Sequence, residues 1–180
     1  ALNDTQGSFD LLNTGTAIRS GWLSGDDGFL AMDENGNGII DNRAELFGGA
    51  IGEGFAQLNA LDRNRDGRID TNDEAYAKLK DWRDKNGNHR TDEGELFTLS
   101  DFDIIALNTG YTLQPEQQQG NWLLEQSTAT KADDSRIQMA DAYFETPKAK
   151  TAGTQEVEPR REQLSVRQAD NHQGASITVK

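Results

Sequence analysis

The sequence predicts an α+β domain: helix–loop–helix units at its centre, β-hairpins flanking them, and a disordered C-terminal tail. Three observations predict it. Side-chain oxygens recur at alternate positions in Asp33-x-Asn35-x-Asn37-Gly38, Asp62-x-Asn64-x-Asp66-Gly67 and Asp84-x-Asn86-x-Asn88-His89. Between these stretches apolar residues recur at helical spacing. Beyond Pro147 the chain turns polar and loses most of its large apolar residues.

The elements follow in order. Phe9 to about Leu30 reads as β structure, with turns at Asn13-Thr14-Gly15 and Asp26-Asp27-Gly28 and with Trp22, Leu23, Phe29 and Leu30 facing inward. Ala44 to Gly49 reads as a short helical turn stopped by glycines. Phe55, Leu58 and Leu61 place a helix over 53–61. Thr71-x-x-Glu74 reads as a capping box, and Ala75, Tyr76, Leu79 and Trp82 continue a helix to about Trp82. Strands are expected over 104–108 and 121–126, a polar connection over 114–120, and a strand end running into a short helix over 137–144. The domain spans 1–146 and the disordered tail 147–180.

The oxygen spacing is that of an EF-hand-like calcium loop. Hard cations take six to eight oxygens, and positions 1, 3, 5, 7, 9 and 12 of such a loop supply them. Loop one offers Asp33, Asn35, Asn37, the carbonyl of Ile39, and Asp41; position 12 is Ala44, so Glu45 closes it one residue late. Loop two offers Asp62, Asn64, Asp66, the carbonyl of Arg68, Asp70, and Asp73 at position 12. Loop three offers Asp84, Asn86, Asn88, the carbonyl of Arg90, Asp92, and Glu95 at position 12. His89 stands where a glycine usually makes the sharp turn, a strained place that a histidine tolerates better than most residues. Loops two and three start 22 residues apart and read as a pair sharing one helix. Asp10-x-Leu12-x-Thr14-Gly15 keeps the spacing without the oxygens and reads as a spent loop serving as a turn. Two or three calcium ions are expected.

Composition narrows the alternatives. The net charge is −13, and six basic against four acidic residues in 148–180 leave −15 on the body. No basic stripe marks a nucleic-acid or anionic-membrane surface. No apolar run reaches the roughly 20 residues of a membrane-spanning helix. There is no cysteine, which excludes disulfides, thiolate metal sites and a thiol nucleophile. Hydrophobic residues make up only 34% of the chain, so bound ions are expected to help hold a small core. The chain is expected to be a monomer, and its opening at Ala1 reads as a fragment or processed product.

The run Gly21 to Gly48, with its Gly-Trp-Leu-Ser-Gly-Asp-Asp-Gly-Phe-Leu opening, and the stretches Leu61–Gly67 and Asp81–Asn88 resemble the calcium-binding self-processing module of repeat-in-toxin (RTX) proteins. Ile137–Phe144 resembles the closing segment of that module more weakly, and the resemblance covers about residues 8–145. It implies an exported bacterial protein that folds on meeting extracellular calcium. It also implies, in some members, cleavage of an Asp-Pro bond at the module's own N-terminal boundary, after which the freed carboxylate is joined to a lysine. No Asp-Pro pair occurs here: Pro115, Pro147 and Pro159 follow Gln114, Thr146 and Glu158. A product of such a cut would open with proline, whereas this chain opens Ala1-Leu2. The calcium loops therefore carry over and the cleavage does not. The leading expectation is a secreted, calcium-binding structural module. The alternatives are a self-processing module lacking its scissile bond and a calcium-dependent interaction module with an unknown protein partner.

Overall fold

The computed structural model describes residues 2–3, 7–146 and 172–179, with backbone alone at 2–3, 145 and 172–176. Its strands are β1 (Leu2–Asn3), β2 (Ser8–Phe9), β3 (Ile18–Arg19), β4 (Trp22–Leu23), β5 (Gly28–Met32), β6 (Arg68–Asp70), β7 (Leu79–Trp82), β8 (Leu96–Thr98), β9 (Ile104–Asn108), β10 (Thr112–Gln118), β11 (Asn121–Lys131), β12 (Arg136–Glu145) and β13 (His172–Val179). The α-helix among the described residues, α1, is Glu53–Ala60. The main sheet runs β6-β9-β11-β12-β13-β5-β7-β8, with β10 on the free half of β11, and all its pairs are antiparallel. It curls into a half-barrel. The pairs β1–β4 and β2–β3 form two small ribbons beside it.

Both faces of the sheet are covered, and successive side chains of a strand point to opposite faces. Phe29 and Ala31 of β5, Trp82 of β7, and Ala140, Ala142 and Phe144 of β12 join Phe9, Leu11, Trp22 and Leu46 on one side. Leu30, Leu79, Met139, Ile177 and Val179 meet Phe55 and Leu58 of α1 on the other. A two-sided core explains how so apolar-poor a chain packs: most of the large apolar side chains among the described residues are spent there. Trp22, Trp82, Phe29, Phe55 and Phe144 are fully buried.

The expected α+β, helix–loop–helix architecture is wrong, and the observed fold is mostly β. The helix expected over 53–61 is present, but the one expected to run to Trp82 is a 3-10 turn, Tyr76–Lys78, followed by β7. Leu79, Asp81 and Trp82 are all fully buried, so β7 shows no period-two alternation and its spacing imitates a helix face. The same cause hides β12: Met139 to Phe144 is buried on both faces, so the helix expected at its end is strand to Glu145. The polar connection over 114–120 is instead largely the edge strand β10, whose ladder slips between Leu113 and Glu116, where Pro115 has no N–H to donate. Thr71-x-x-Glu74 caps no helix; a capping box stands at Thr98 and Asp101. The tail expected to be disordered ends in β13; residues 147–171 lie outside the described residues. No helix among the described residues is long and apolar enough to cross a membrane.

One part of the core is polar. Glu125 of β11 and Asp141 of β12 are fully buried, and Tyr143 Oη bridges them, 3.1 Å from Glu125 Oε2 and 3.5 Å from Asp141 Oδ2. The N–H groups of Gly52 and Gly54, at the start of α1, face Glu125 and Asp141. Asp141 Oδ1 and Glu125 Oε1 have no hydrogen-bond partner among the described residues. Burial pushes both carboxyls above their usual range, and the Glu125 charge pushes Asp141 further. A folded-state pKa raised above the unfolded value gives stability that is present below the unfolded pKa and lost as pH rises through the folded one. Asp141→Asn keeps an acceptor, adds a donor and removes the ionisation. We expect it to raise stability at pH 7 by about 1–3 kcal/mol. Melting curves in buffers of fixed ionic composition should show the gain over wild type shrinking as pH falls toward about 4. A gain independent of pH would contradict the assignment.

Candidate functional site

The three oxygen-rich loops share one hydrogen-bond scaffold. Each opens on an aspartate whose oxygens collect backbone N–H groups. Asp33 Oδ1 accepts from Gly36 and Asn37 at 2.7 and 3.2 Å, and its Oδ2 accepts from Gly38 at 2.8 Å. Asp62 accepts from Asp66 at 3.3 Å and from Gly67 at 2.8 Å. Asp84 accepts from Gly87, Asn88 and His89 at 2.7, 3.1 and 2.7 Å. At the third position Asn35, Asn64 and Asn86 Oδ1 accept from the N–H of Asn37, Asp66 and Asn88 at 2.9, 3.1 and 2.9 Å. At the fifth, Asn37, Asp66 and Asn88 Oδ1 accept from the N–H of Ile39, Arg68 and Arg90 at 2.9, 3.0 and 2.8 Å.

This curl needs positive φ at the fourth and sixth positions. Loop one uses Gly36 (71°) and Gly38 (82°), loop two Arg65 (58°) and Gly67 (84°), loop three Gly87 (70°) and His89 (62°). His89 therefore takes the strained turn expected of it. Its ring compensates: it is buried and stacks on Trp22 at 3.9 Å between centroids, 12° from parallel.

The closing carboxylates come back over the loop starts. Glu95 accepts from Asp92 N at 3.1 Å and Lys85 N at 2.9 Å. Asp73 accepts from Asp70 N at 3.2 Å and Arg63 N at 2.9 Å. Glu45, one residue late, makes the first of these two bonds: its Oε2 accepts from Asp41 N at 3.0 Å. A 3-10 turn over Arg43–Glu45, capped by Asn42, absorbs the extra residue. Glu45, Asp73 and Glu95 are each buried, and Glu45 Oε1 has no hydrogen-bond partner among the described residues. Amides cross the loops: Asn37 Nδ2 donates to Asp41 at 3.0 Å, Asn64 Nδ2 to Asp66 at 2.9 Å, and Asn86 and Asn88 Nδ2 both to Asp92 at 2.7 Å. Those donors from Asn86 and Asn88 hold the Asp92 carboxyl below its usual range.

Among the described residues no three acidic or histidine side chains cluster closely enough to hold an ion by themselves. A donor set in any loop must add amide and main-chain carbonyl oxygens; in loops one and three a half-turn of Asn37 or Asn88 about χ2 would put the amide oxygen where Nδ2 now faces Asp41 or Asp92. Oxygen-only sets of that kind suit a hard cation. The loops bring together Asp33, Asn35, Asn37, Asp41 and Glu45; Asp62, Asn64, Asp66 and Asp73; and Asp84, Asn86, Asn88 and Glu95. Ile39, Arg68 and Arg90 stand at the seventh positions of these curls.

The expected pairing of loops two and three does not occur. Loop one pairs with loop three through their eighth positions: Ile40 N donates to Thr91 Oγ1 at 2.9 Å, and that hydroxyl donates to Ile40 O at 3.2 Å. The eighth position of loop two, Ile69, instead lies in β6 and pairs with Leu107 of β9. Trp22 faces inward as expected and is fully buried, and it also serves loop three: its Nε1 donates to Asp84 Oδ2 at 2.8 Å, a contact that no local pattern signals. The turn at Asp10 keeps the scaffold without the ligands: its oxygens accept from Thr14 N and Gly15 N at 2.9 and 2.7 Å.

A curled antiparallel sheet carrying three such loops outside any helix–loop–helix frame defines a β domain with grafted, oxygen-lined turns. Within that class, a family model described as the SPM domain matches residues 1–145, and the chain belongs to this family. It is similar to the iron-regulated protein FrpA of Neisseria meningitidis serogroup C, with 39% identity over 142 residues. The match covers 74% of this chain and 13% of that protein.

Proposed function

We propose that the domain is a calcium-binding structural module of a secreted, RTX-like bacterial protein, which rigidifies when it meets extracellular calcium. The observation that carries the reading is the shared scaffold: three loops of different sequence repeat the same bonds at positions 1, 3, 5, 9 and the closing carboxylate. Their donors are all oxygen, which matches a hard cation, and modules of this type bind calcium at about 0.1–1 mM. The similarity to FrpA supports the RTX-like, bacterial part of the reading.

The loops are expected to differ. Loop two stands apart and has four carboxylates, Asp62, Asp66, Asp70 and Asp73. Loops one and three are coupled through Ile40 and Thr91. Calorimetric titration of calcium into chelator-treated protein tests this. Asp62→Ala removes the acceptor for Asp66 N and Gly67 N and should delete one binding event while leaving the other two. Asp33→Ala should remove loop one and weaken loop three several-fold. No binding heat up to several millimolar calcium would end the proposal.

A further inference from the structure

The main sheet is continuous only because of its last strand. Strand β12 pairs with β13 and β13 pairs with β5, and β12 and β5 do not pair with each other. Neighbouring strands lie about 4.8 Å apart, so β12 and β5 stand roughly twice that distance from one another. Remove β13 and two interior edges, each with a row of unpaired N–H and C=O groups, face a slot one strand wide. On one side of the slot stand β6, β9, β10, β11 and β12, on the other β5, β7 and β8.

The filler lies beyond the stretch that the family model matches. The family match covers 1–145 and ends with the last residue of β12. Both strands that wall the slot therefore lie inside the matched stretch and β13 lies outside it. The connection points the same way. Glu145 and His172 are paired neighbours at the open end of the β12–β13 ladder, yet residues 146–171 separate them in sequence. About two to five residues would suffice to turn an antiparallel pair. The join is far longer than strand pairing requires, and it keeps both strands in one chain at a high local concentration.

We propose that the domain contains a strand-binding slot between β12 and β5, and that residues 172–179 occupy it as a ligand tethered in cis. The partner the slot fits is an extended peptide running antiparallel to both walls, with aliphatic side chains at two alternate positions and a small hydroxyl residue between them. Ile177 and Val179 fill the aliphatic positions, fully buried in the core beside Leu30, Phe55 and Met139. Thr178 faces the other way and its hydroxyl donates to Ala140 O at 3.3 Å. Main-chain pairing gives such a strand its affinity and the two alternate pockets give it specificity. Ile177 N also donates to Phe47 O at 2.7 Å, which ties the ligand strand to the segment between loop one and α1. This inference does not rest on the calcium reading, and calcium is held constant in its test.

The test keeps the whole chain. A recognition sequence for a site-specific protease is inserted between Lys150 and Thr151, and the folded protein is cut there. The two pieces are expected to co-elute on gel filtration. Excess dye-labelled peptide with the sequence of residues 171–180 should replace the native piece at one per domain. The same peptide carrying Ile177→Asp and Val179→Asp should not bind. In the uncut chain, the same two substitutions should speed hydrogen exchange at the amides of 28–30 and 139–142 at least tenfold. Release of the cut piece with an unchanged melting curve and no peptide uptake would overturn the proposal. So would equal binding of both peptides, or unchanged exchange at those amides.

Discussion

Stripping calcium with EDTA is expected to lower the melting temperature by roughly 10–30 °C relative to the same protein in 10 mM calcium. On the proposed function, calcium acts by mass action at three sites. A ligand that binds only the folded state stabilises it by RT ln(1 + [L]/Kd), which at 10 mM calcium and Kd of about 0.1–1 mM is about 1.4–2.7 kcal/mol per site. Three sites give about 4–8 kcal/mol, comparable with the whole stability of an ordinary domain. The charge distribution strengthens the case. Loop one carries Asp33, Asp41 and Glu45; loop two Asp62, Asp66, Asp70 and Asp73; loop three Asp84, Asp92 and Glu95. Without a cation these groups repel one another within each loop. Circular dichroism melts across calcium concentrations check the prediction: the midpoint should climb with the logarithm of calcium concentration. Magnesium should substitute poorly, because it demands stricter octahedral geometry and sheds water reluctantly. Coincident curves in EDTA and calcium would remove ion binding as a source of the fold's stability.

The loops were legible in the sequence because they are local. Most of their hydrogen bonds join residues two to five apart and the closing ones reach only ten, so an Asp-x-Asn-x-Asn/Asp pattern carries nearly the whole curl, including the place where His89 must adopt positive φ. What surrounds the loops was not legible. An EF-hand-type loop leads the eye to helices, and Tyr76, Leu79 and Trp82 have a spacing that a helix would also use. The decisive fact, that β7 is wedged between β5 and β8 with both faces buried, depends on residues some fifteen to fifty positions away. Sequence proximity suggests pairing loops two and three, whereas sheet adjacency pairs one with three: β5 and β7, which feed loops one and three, are neighbours. In the tail, low average hydrophobicity masked Ile177-Thr178-Val179, a β-branched triplet whose partners Gly28, Phe29 and Met139–Asp141 lie far back along the chain. Asp141 and Glu125 gave no signal at all, since nothing in their local sequence marks either as fully buried.

Replacing Trp22 is expected to have the second large effect, and its two components can be separated. The indole is fully buried, with ring centroids 4.6 Å from Phe29, 5.4 Å from Phe9, 5.7 Å from Trp82 and 5.9 Å from Phe144. Trp22→Ala opens a cavity at the centre of this cluster and should cost about 3–5 kcal/mol. Trp22→Phe retains an aromatic body but loses the Nε1 donor to Asp84 Oδ2. Asp84 Oδ2 also accepts from His89 N, and losing one of that oxygen's two donors should cost about 1–3 kcal/mol. The specific consequence lies in loop three. Trp22 fixes Asp84 from below and stacks on His89, so it holds the first and sixth positions of the loop together. With Trp22→Phe, calorimetry should show one calcium site weakened by about tenfold, the equivalent of about 1.4 kcal/mol, with loop two unchanged. Adding Asp62→Ala to this variant should act additively, because loop two shares no partner with Trp22. A uniform loss of affinity at every site would mean that Trp22 acts through global stability alone, and would dissolve the link drawn here between the aromatic core and the third loop.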